Sequence, residues 1–349
     1  MIKKFSVSNF KGFEEKVTLD FTAGSYEFNK ELVKDKMVNK ALLVGKSGKT
    51  NLGMAIFDIQ KQLCSGWNGP KKFSTNFVNL NNIDKPVEFD YVFQFGKDEV
   101  EYKYTKKDAD NVLSEEIAFN GKVVGKQNYV LNTLWINELV FGKVKFKIKR
   151  GVLAYRLFLS TSNELIIKMY EFISEMYWYS GKLENENLYR DILSYICRAE
   201  ETKKLQEFLY DFGVNYELVS EDKKVCIAYN DTVEDFANVA SDEELILISL
   251  YYLSRTHFDE MKVLVFDNLG SYFDYKTSEK VVKWLNKQDF QTLMITNNTG
   301  LITNNLTRPD CCYVLSNGYV RSLDKTTDKE LRRAHNLEKM YKAGEFEIN

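Results

Sequence analysis

The sequence predicts an α/β fold organised around a strand, a glycine turn and a helix, and three observations predict it. The stretch Lys40-Ala-Leu-Leu-Val-Gly45-Lys-Ser-Gly48-Lys49-Thr50-Asn51-Leu52 runs an apolar segment into a Gly-Lys-Thr turn. Such a turn places backbone N–H groups and a lysine at a helix N-terminus, where phosphates are held. Val263–Phe266 is a short unbroken apolar run, the signature of a parallel strand buried on both faces, and Thr292–Thr296 reads as another strand. Between Val87 and Tyr104 apolar and polar residues alternate on either side of Gly96-Lys-Asp98, which predicts an antiparallel hairpin.

The elements follow in chain order. Phe5, Val7 and Phe10, then Lys16 to Phe21, alternate as two strands, and Ala41–Val44 forms the strand entering the glycine turn. From Asn51 to Leu63, Leu52, Ala55, Ile56, Ile59 and Leu63 recur at helical spacing. Gly66 to Lys85 reads as a loop, and Leu113–Phe119 with Lys122–Val124 adds a strand pair around Asn120-Gly121. From about Asn132 to Phe212 the pattern is helical. One apolar stripe there comprises Leu165, Ile166, Met169, Phe172, Ile173 and Met176; another is Leu205, Phe208 and Leu209, ending at Gly213. Tyr170, Tyr177 and Trp178 share that helical spacing and read as core. Tyr216–Val219 and Val225–Tyr229 read as strands. Ser241 and Glu244 have the spacing of a capping box, opening a helix to Arg255. A helix over Ser278–Asn286, a hairpin at Asn317-Gly318 and a last helix over Thr327–Tyr341 complete the reading.

Composition narrows the function. The 349 residues are enough for one large domain or two ordinary ones, and 44% hydrophobic with 28% charged residues is ordinary for a folded soluble chain. A net charge of −2 disfavours a strongly electrostatic nucleic-acid binder. Five cysteines without ligand spacing and only two histidines, His257 and His335, leave little for a metal centre or a Ser-His-Asp triad. Met1-Ile-Lys-Lys4 leads directly into a strand pattern rather than a leader, and no apolar run approaches the roughly 20 residues of a membrane span. The expected location is the cytoplasm.

The opening Phe5-Ser-Val-Ser-Asn-Phe10-Lys-Gly-Phe13, the turn Gly48-Lys-Thr-Asn-Leu52 and the strand Val263-Leu-Val-Phe-Asp267 resemble the ABC-type ATPase heads of the SMC, RecF and OLD group. The ending Arg308-Pro-Asp310, Leu331-Arg-Arg-Ala-His335-Asn336-Leu-Glu-Lys-Met-Tyr341 and Gly344-Glu-Phe346 is similar to the short AAA ATPases of the RloA and AbiL type. Those belong to bacterial phage-defence and abortive-infection loci. The resemblance implies a P-loop NTPase fold, an ABC-type head with an inserted helical lobe. Residues 1–125 and 236–349 would form the ATPase body and 126–235 the lobe. It also implies ATP and magnesium, with Gly45, Gly48, Lys49, Thr50 and Asn51 at the phosphates and Thr50 and Asp267 at the metal. The implied partners are a second copy or an active paralogue, and a nuclease-type effector acting in trans, because the chain ends before any fused nuclease. No membrane is implied.

The same positions carry departures from that pattern. The full loop is Gly-x-x-x-x-Gly-Lys-Ser/Thr, but only Lys46 and Ser47 separate Gly45 from Gly48. Losing two or three charge-assisted N–H contacts, at about 1.5–3 kcal/mol each, costs on the order of 3–9 kcal/mol of phosphate binding. Asn268 stands where the family has a glutamate that activates water, and Asn297 where it has a switch histidine. Neither amide takes up a proton as a general base does, a loss of roughly 10²–10⁴ in rate. Ser241, Asp242, Glu243 and Glu244 occupy the place of the signature loop that touches the γ-phosphate across a dimer. Acids there suit the helix dipole and repel a phosphate. The departures together predict a degenerate ATPase acting as scaffold or regulator. The alternatives are a working ATPase completed by a partner, or a nucleic-acid module on the same scaffold. For the last, Lys143, Lys145, Lys147 and Lys149 alternate with Val144, Phe146 and Ile148 before Arg150. This stretch reads either as a basic strand face for phosphates or an acidic partner, or as a lysine-protected edge strand.

Overall fold

The computed structural model describes residues 1–64, 69–70, 72–181, 186–230 and 232–348. Gly66, where the loop reading began, lies outside the described residues. In chain order the strands and helices are β1 (Ile2–Ser8), β2 (Val17–Asp20), β3 (Val33–Lys34), β4 (Met37–Val38), β5 (Lys40–Gly45) and α1 (Lys49–Leu63). Next come β6 (Val87–Phe95), β7 (Asp98–Lys106), β8 (Val112–Phe119), β9 (Lys122–Asn128), β10 (Thr133–Ile136) and α2 (Glu138–Phe141). The middle of the chain holds α3 (Leu153–Ser160), α4 (Glu164–Ser174), β11 (Met176–Ser180), α5 (Glu186–Arg198) and α6 (Thr202–Phe212). Then follow β12 (Glu217–Glu221), β13 (Lys224–Tyr229), β14 (Thr232–Asp235), α7 (Phe236–Val239) and α8 (Asp242–Thr256). The chain closes with β15 (Val263–Leu269), α9 (Tyr275–Asn286), β16 (Gln291–Thr296), β17 (Cys312–Ser316), β18 (Tyr319–Ser322) and α10 (Leu337–Lys342).

Two sheets carry the fold. A seven-stranded sheet runs β10-β9-β8-β7-β6-β1-β2, all antiparallel, and a six-stranded sheet runs β11-β15-β16-β5-β17-β18. In the second, every pairing is parallel except the closing β17–β18 hairpin. Side chains on a strand alternate between faces, and here the alternation sorts residues into two cores. Ala41, Leu43, Val263, Val265, Leu293, Ile295, Tyr313 and Leu315 face a core shared with α1, α4 and the antiparallel sheet. Leu42, Val44, Leu264, Phe266, Met294, Cys312 and Val314 face a second core shared with α5, α6, α8 and α9. Burial on both faces is why these strands have no polar alternation.

Helix α1 is pressed between the sheets, and Gly53 makes that possible. A Cβ there would lie 2.8 Å from Ile295 and 3.1 Å from Trp178, so any larger residue lifts the helix off the sheet. Inside the antiparallel layer, Lys106 and Asp58 form an ion pair at 2.9 Å with side chains 1% and 0% exposed. Tyr104 donates to the same carboxylate at 2.8 Å.

Four local expectations are corrected. The helical stretch from Asn132 to Phe212 contains two strands, β10 and β11; Met176, Tyr177 and Trp178 therefore belong to the central sheet and not to a helix. Lys143–Arg150 forms no strand; it is irregular chain with bends and without ladder partners. The last helix spans only Leu337–Lys342, because Asn336 caps it by accepting from the Lys339 N–H at 2.8 Å. The segment Tyr216–Tyr229 gains a third strand, β14.

Candidate functional site

In a parallel α/β sheet, ligands bind beyond the carboxyl ends of the strands. Here β5, β15 and β16 end together at a concavity of about 180 Å³. Lys46, Gly48, Lys49, Thr50 and Asn51 line it from the turn and α1, and Asp267, Asn268, Ile295, Thr296 and Asn297 from the two other strand ends. The sequence elements expected to meet do meet.

The loop is tight. Gly45 has φ +133°, and a Cβ on it would sit 2.2 Å from the Leu315 carbonyl oxygen of the neighbouring strand. Only glycine passes there. Three residues later Gly48, at φ +91°, is the N-cap of α1 and provides no side-chain cap. The first N–H groups of the helix are therefore left to an anion or to water. The Lys49 side chain, only 6% exposed as a residue, folds back over the loop. Its ammonium donates to the carbonyls of Gly45 and, at 3.0 Å, of Lys46. Burial lowers its pKa, with the Asp267 charge opposing that shift.

Asp267 is the acid of the site and is buried. Its Oδ1 accepts from the Thr50 hydroxyl at 2.9 Å, and its Oδ2 from the Asn268 amide at 2.5 Å. Asn268 has φ +61°, a left-handed conformation that asparagine tolerates better than glutamate. Its side chain thus serves the neighbouring carboxylate. Thr296 donates from its hydroxyl to the Leu269 carbonyl at 2.6 Å and accepts from the Asn298 N–H at 3.0 Å. That pair shapes the turn on which exposed Asn297 stands. Among the described residues no group of three or more His, Cys, Asp or Glu is placed to hold a metal ion.

Thr50 and Asp267 fit a magnesium ion. A hydroxyl and a carboxylate 2.9 Å apart are the hard oxygen donors that magnesium accepts, with water completing its shell. The lysine is turned onto the loop's own carbonyls.

Ser241–Glu244 lie elsewhere. They form a complete capping box: the Glu244 N–H donates to the Ser241 hydroxyl at 3.3 Å, and the Ser241 N–H to the Glu244 carboxylate at 2.8 Å. None of them lines the concavity, and neither does any residue of Lys143–Arg150. One participant was missed by sequence reasoning. Gly181, just past β11, donates its N–H to the Asp267 carbonyl at 2.8 Å, and a Cβ on it would lie 2.8 Å from the Asn268 carbonyl oxygen. Its only signal was a glycine after the aromatic run Met176–Tyr179, read as helix.

A phosphate-type turn ends β5, an acid ends β15, and β16 runs parallel between them. The fold is α/β, with the order of turn, intervening parallel strand and acid that a P-loop reading expects. No family model and no curated protein matches the sequence of this chain. Among solved structures it is similar to the SMC head domain from Thermotoga maritima, at 12% identity and TM-score 0.44, over 91% of this chain and 97% of that one. It is also similar to an Smc head bound to the C-winged helix domain of ScpA, at 13% and 0.48, over 93% and 99%. A third is the Smc head with an extended coiled coil bound to the C-terminal domain of ScpA, derived from Pyrococcus furiosus, at 14% and 0.47, over 93% and 97%. No helix of this chain, among the described residues, is long and apolar enough to cross a membrane.

Proposed function

We propose that this chain is a catalytically degenerate ATPase head that works as a scaffold or regulatory subunit. The observation that carries the proposal is at Asp267. Its neighbour Asn268, in the position of the water-activating glutamate, spends its amide on the Asp267 carboxylate at 2.5 Å. Asn297 supplies no base either, and none of the acids that line the concavity is other than Asp267. A head with a metal-type acid and no second carboxylate lacks the group that deprotonates water. The short loop and the inward lysine add the loss of triphosphate contacts. The resemblance at Arg308–Asp310 and Leu331–Phe346 supports reading the scaffold as one of the RloA and AbiL type, with a role in phage defence or abortive infection. Within that reading the body is 1–125 and 236–349, with 126–235 as the inserted lobe. The partner is a second copy, an active paralogue, or a nuclease-type effector in trans.

A second reading has its own observation. Thr50 and Asp267 retain the geometry of a magnesium pair, and the α1 N-terminus has no side-chain cap. A partner subunit supplying the missing base would complete a working site. Phosphate release from Mg-ATP by the chain alone tests the first reading, and turnover that appears only in its complex with a partner would favour the second. The degenerate head alone gives no turnover above its Asp267→Ala variant; turnover that this variant abolishes overturns the proposal.

A further inference from the structure

The seven-stranded sheet ends in β10, whose outer edge pairs with no strand among the described residues. Its four residues, Thr-Leu-Trp-Ile, include no charge and no proline. Edge strands are normally guarded by such residues, by bulges or by brevity, and here brevity is the only guard. The surroundings are apolar and bare. Val130 and Leu131 are each 70% exposed, Trp135 50% and Leu139 98%, with Leu134 and Val140 also exposed. A cluster of this kind around an open edge is an association surface rather than scattered surface residues.

The basic stretch lies beside it. Helix α2 connects β10 to Lys143, and its Val140 and Phe141 share a hollow of about 570 Å³ with the Ser160–Leu165 turn. The Lys147 N–H donates to the Ser160 hydroxyl at 3.0 Å, which ties the basic stretch to the same turn. Val144, Phe146 and Ile148 are half-buried, whereas Lys143, Lys145, Lys147, Lys149 and Arg150 are exposed. The alternation seen in the sequence is therefore real without a strand. No ion pair among the described residues neutralises these five cations.

We propose that β10, α2 and the Lys143–Arg150 stretch together form a docking surface for an extended, acidic segment of a partner protein. The segment adds to the sheet as a further strand, its main chain pairing with the β10 edge. Its apolar side chains cover Trp135 and Leu139, and its carboxylates meet the lysines, which steer the encounter and set the register. The other occupants fit less well. A second copy joined edge to edge brings five more cations against these five. Nucleic acid satisfies the lysines and leaves the apolar residues and the open edge uncovered. An anionic membrane covers apolar residues and cations but offers the backbone edge no strand.

Selection of displayed random peptides on the immobilised full chain tests this, followed by anisotropy with the recovered peptides. The expected peptides alternate Asp or Glu with apolar residues. Trp135→Glu, and separately Lys145→Glu with Lys147→Glu, weaken them by about tenfold or more, the effect of opposing a steered, hot-spot contact. Methylating alternate peptide amides also removes binding. All three substituted side chains are exposed, so unchanged thermal melting verifies the variants. The proposal is overturned if no peptide is recovered that Trp135→Glu discriminates, or if the recovered peptides lack acidic residues. It is equally overturned if a DNA duplex or phosphatidylserine vesicles bind through these lysines while the peptides do not. Concentration-dependent self-association lost in Trp135→Glu would assign the edge to a second copy instead.

Discussion

The Thr50 hydroxyl donates to Oδ1 of Asp267 across 2.9 Å, joining the first turn of α1 to the end of β15. These two residues are 217 positions apart in the chain. The contact holds helix and sheet together. Thr50→Val keeps the shape and removes the donor, so the buried carboxylate loses one of its partners. The expected cost is about 1–3 kcal/mol, read as a lower urea midpoint with unchanged slope. An unaltered midpoint would mean that the contact is structurally idle.

If the loop is retained for its shape, its glycine matters more than its lysine. Gly45→Ala places a Cβ against the Leu315 carbonyl at a left-handed backbone position. Strain of that kind costs roughly 3 kcal/mol or more when the neighbour is backbone. Lys49→Met keeps the aliphatic stem and removes only the ammonium, and is expected to change stability by less than about 1 kcal/mol. Denaturant titrations of the two variants should differ accordingly.

The buried pair of Asp58 and Lys106 gives a prediction far from the site. Lys106→Met leaves a carboxylate at zero exposure with Tyr104 as a remaining donor. Burial already pushes that carboxyl upward, against the pull of Lys106. Breaking the pair from one side should cost about 3–5 kcal/mol, and replacing both members by apolar residues should recover much of it. Equal losses in the single and double variants would contradict this.

Lys40 predicts a pH dependence. Its ammonium is buried at the foot of β5, donates to the Phe290 carbonyl and, at 3.3 Å, to Thr292, and lies 4.9 Å from the Phe290 ring centre. Desolvation lowers its pKa to about 7. The unfolded chain keeps this proton up to about pH 10.4, so above about pH 7 it binds more protons than the folded chain. The group's contribution to stability therefore rises with pH through that window and is least below about pH 7. Lys40→Met should flatten the slope between about pH 7 and pH 9, and should raise stability most at its acid end. A slope identical to that of the parent chain would locate the titration elsewhere.

Much of the fold was legible because period and burial agreed. The runs at Ala41–Val44 and Val263–Phe266 are unbroken because the two cores take alternate residues from each. The capping box at Ser241 and Glu244 was readable because both hydrogen bonds are local. What was hidden depended on distant partners. Met176 continues the apolar spacing of α4, yet it starts a strand because β15 offers a parallel edge there. The Lys143–Ile148 alternation looked like a strand, but apolar residues laid on the body, without a ladder, produce the same pattern. At the site, the types of Lys49, Thr50, Asp267 and Asn268 were readable, whereas the Asn268 amide turned onto Asp267 and the Gly181 contact required three strand ends to meet.

The proposal of a degenerate site entails that the phosphate turn of this chain holds no nucleotide. Calorimetric titration of Mg-ATP into the full chain, repeated with Lys49→Ala, tests it most directly. The account predicts no saturable heat in either protein at millimolar nucleotide. A saturable, micromolar site in the parent chain that Lys49→Ala abolishes would contradict it.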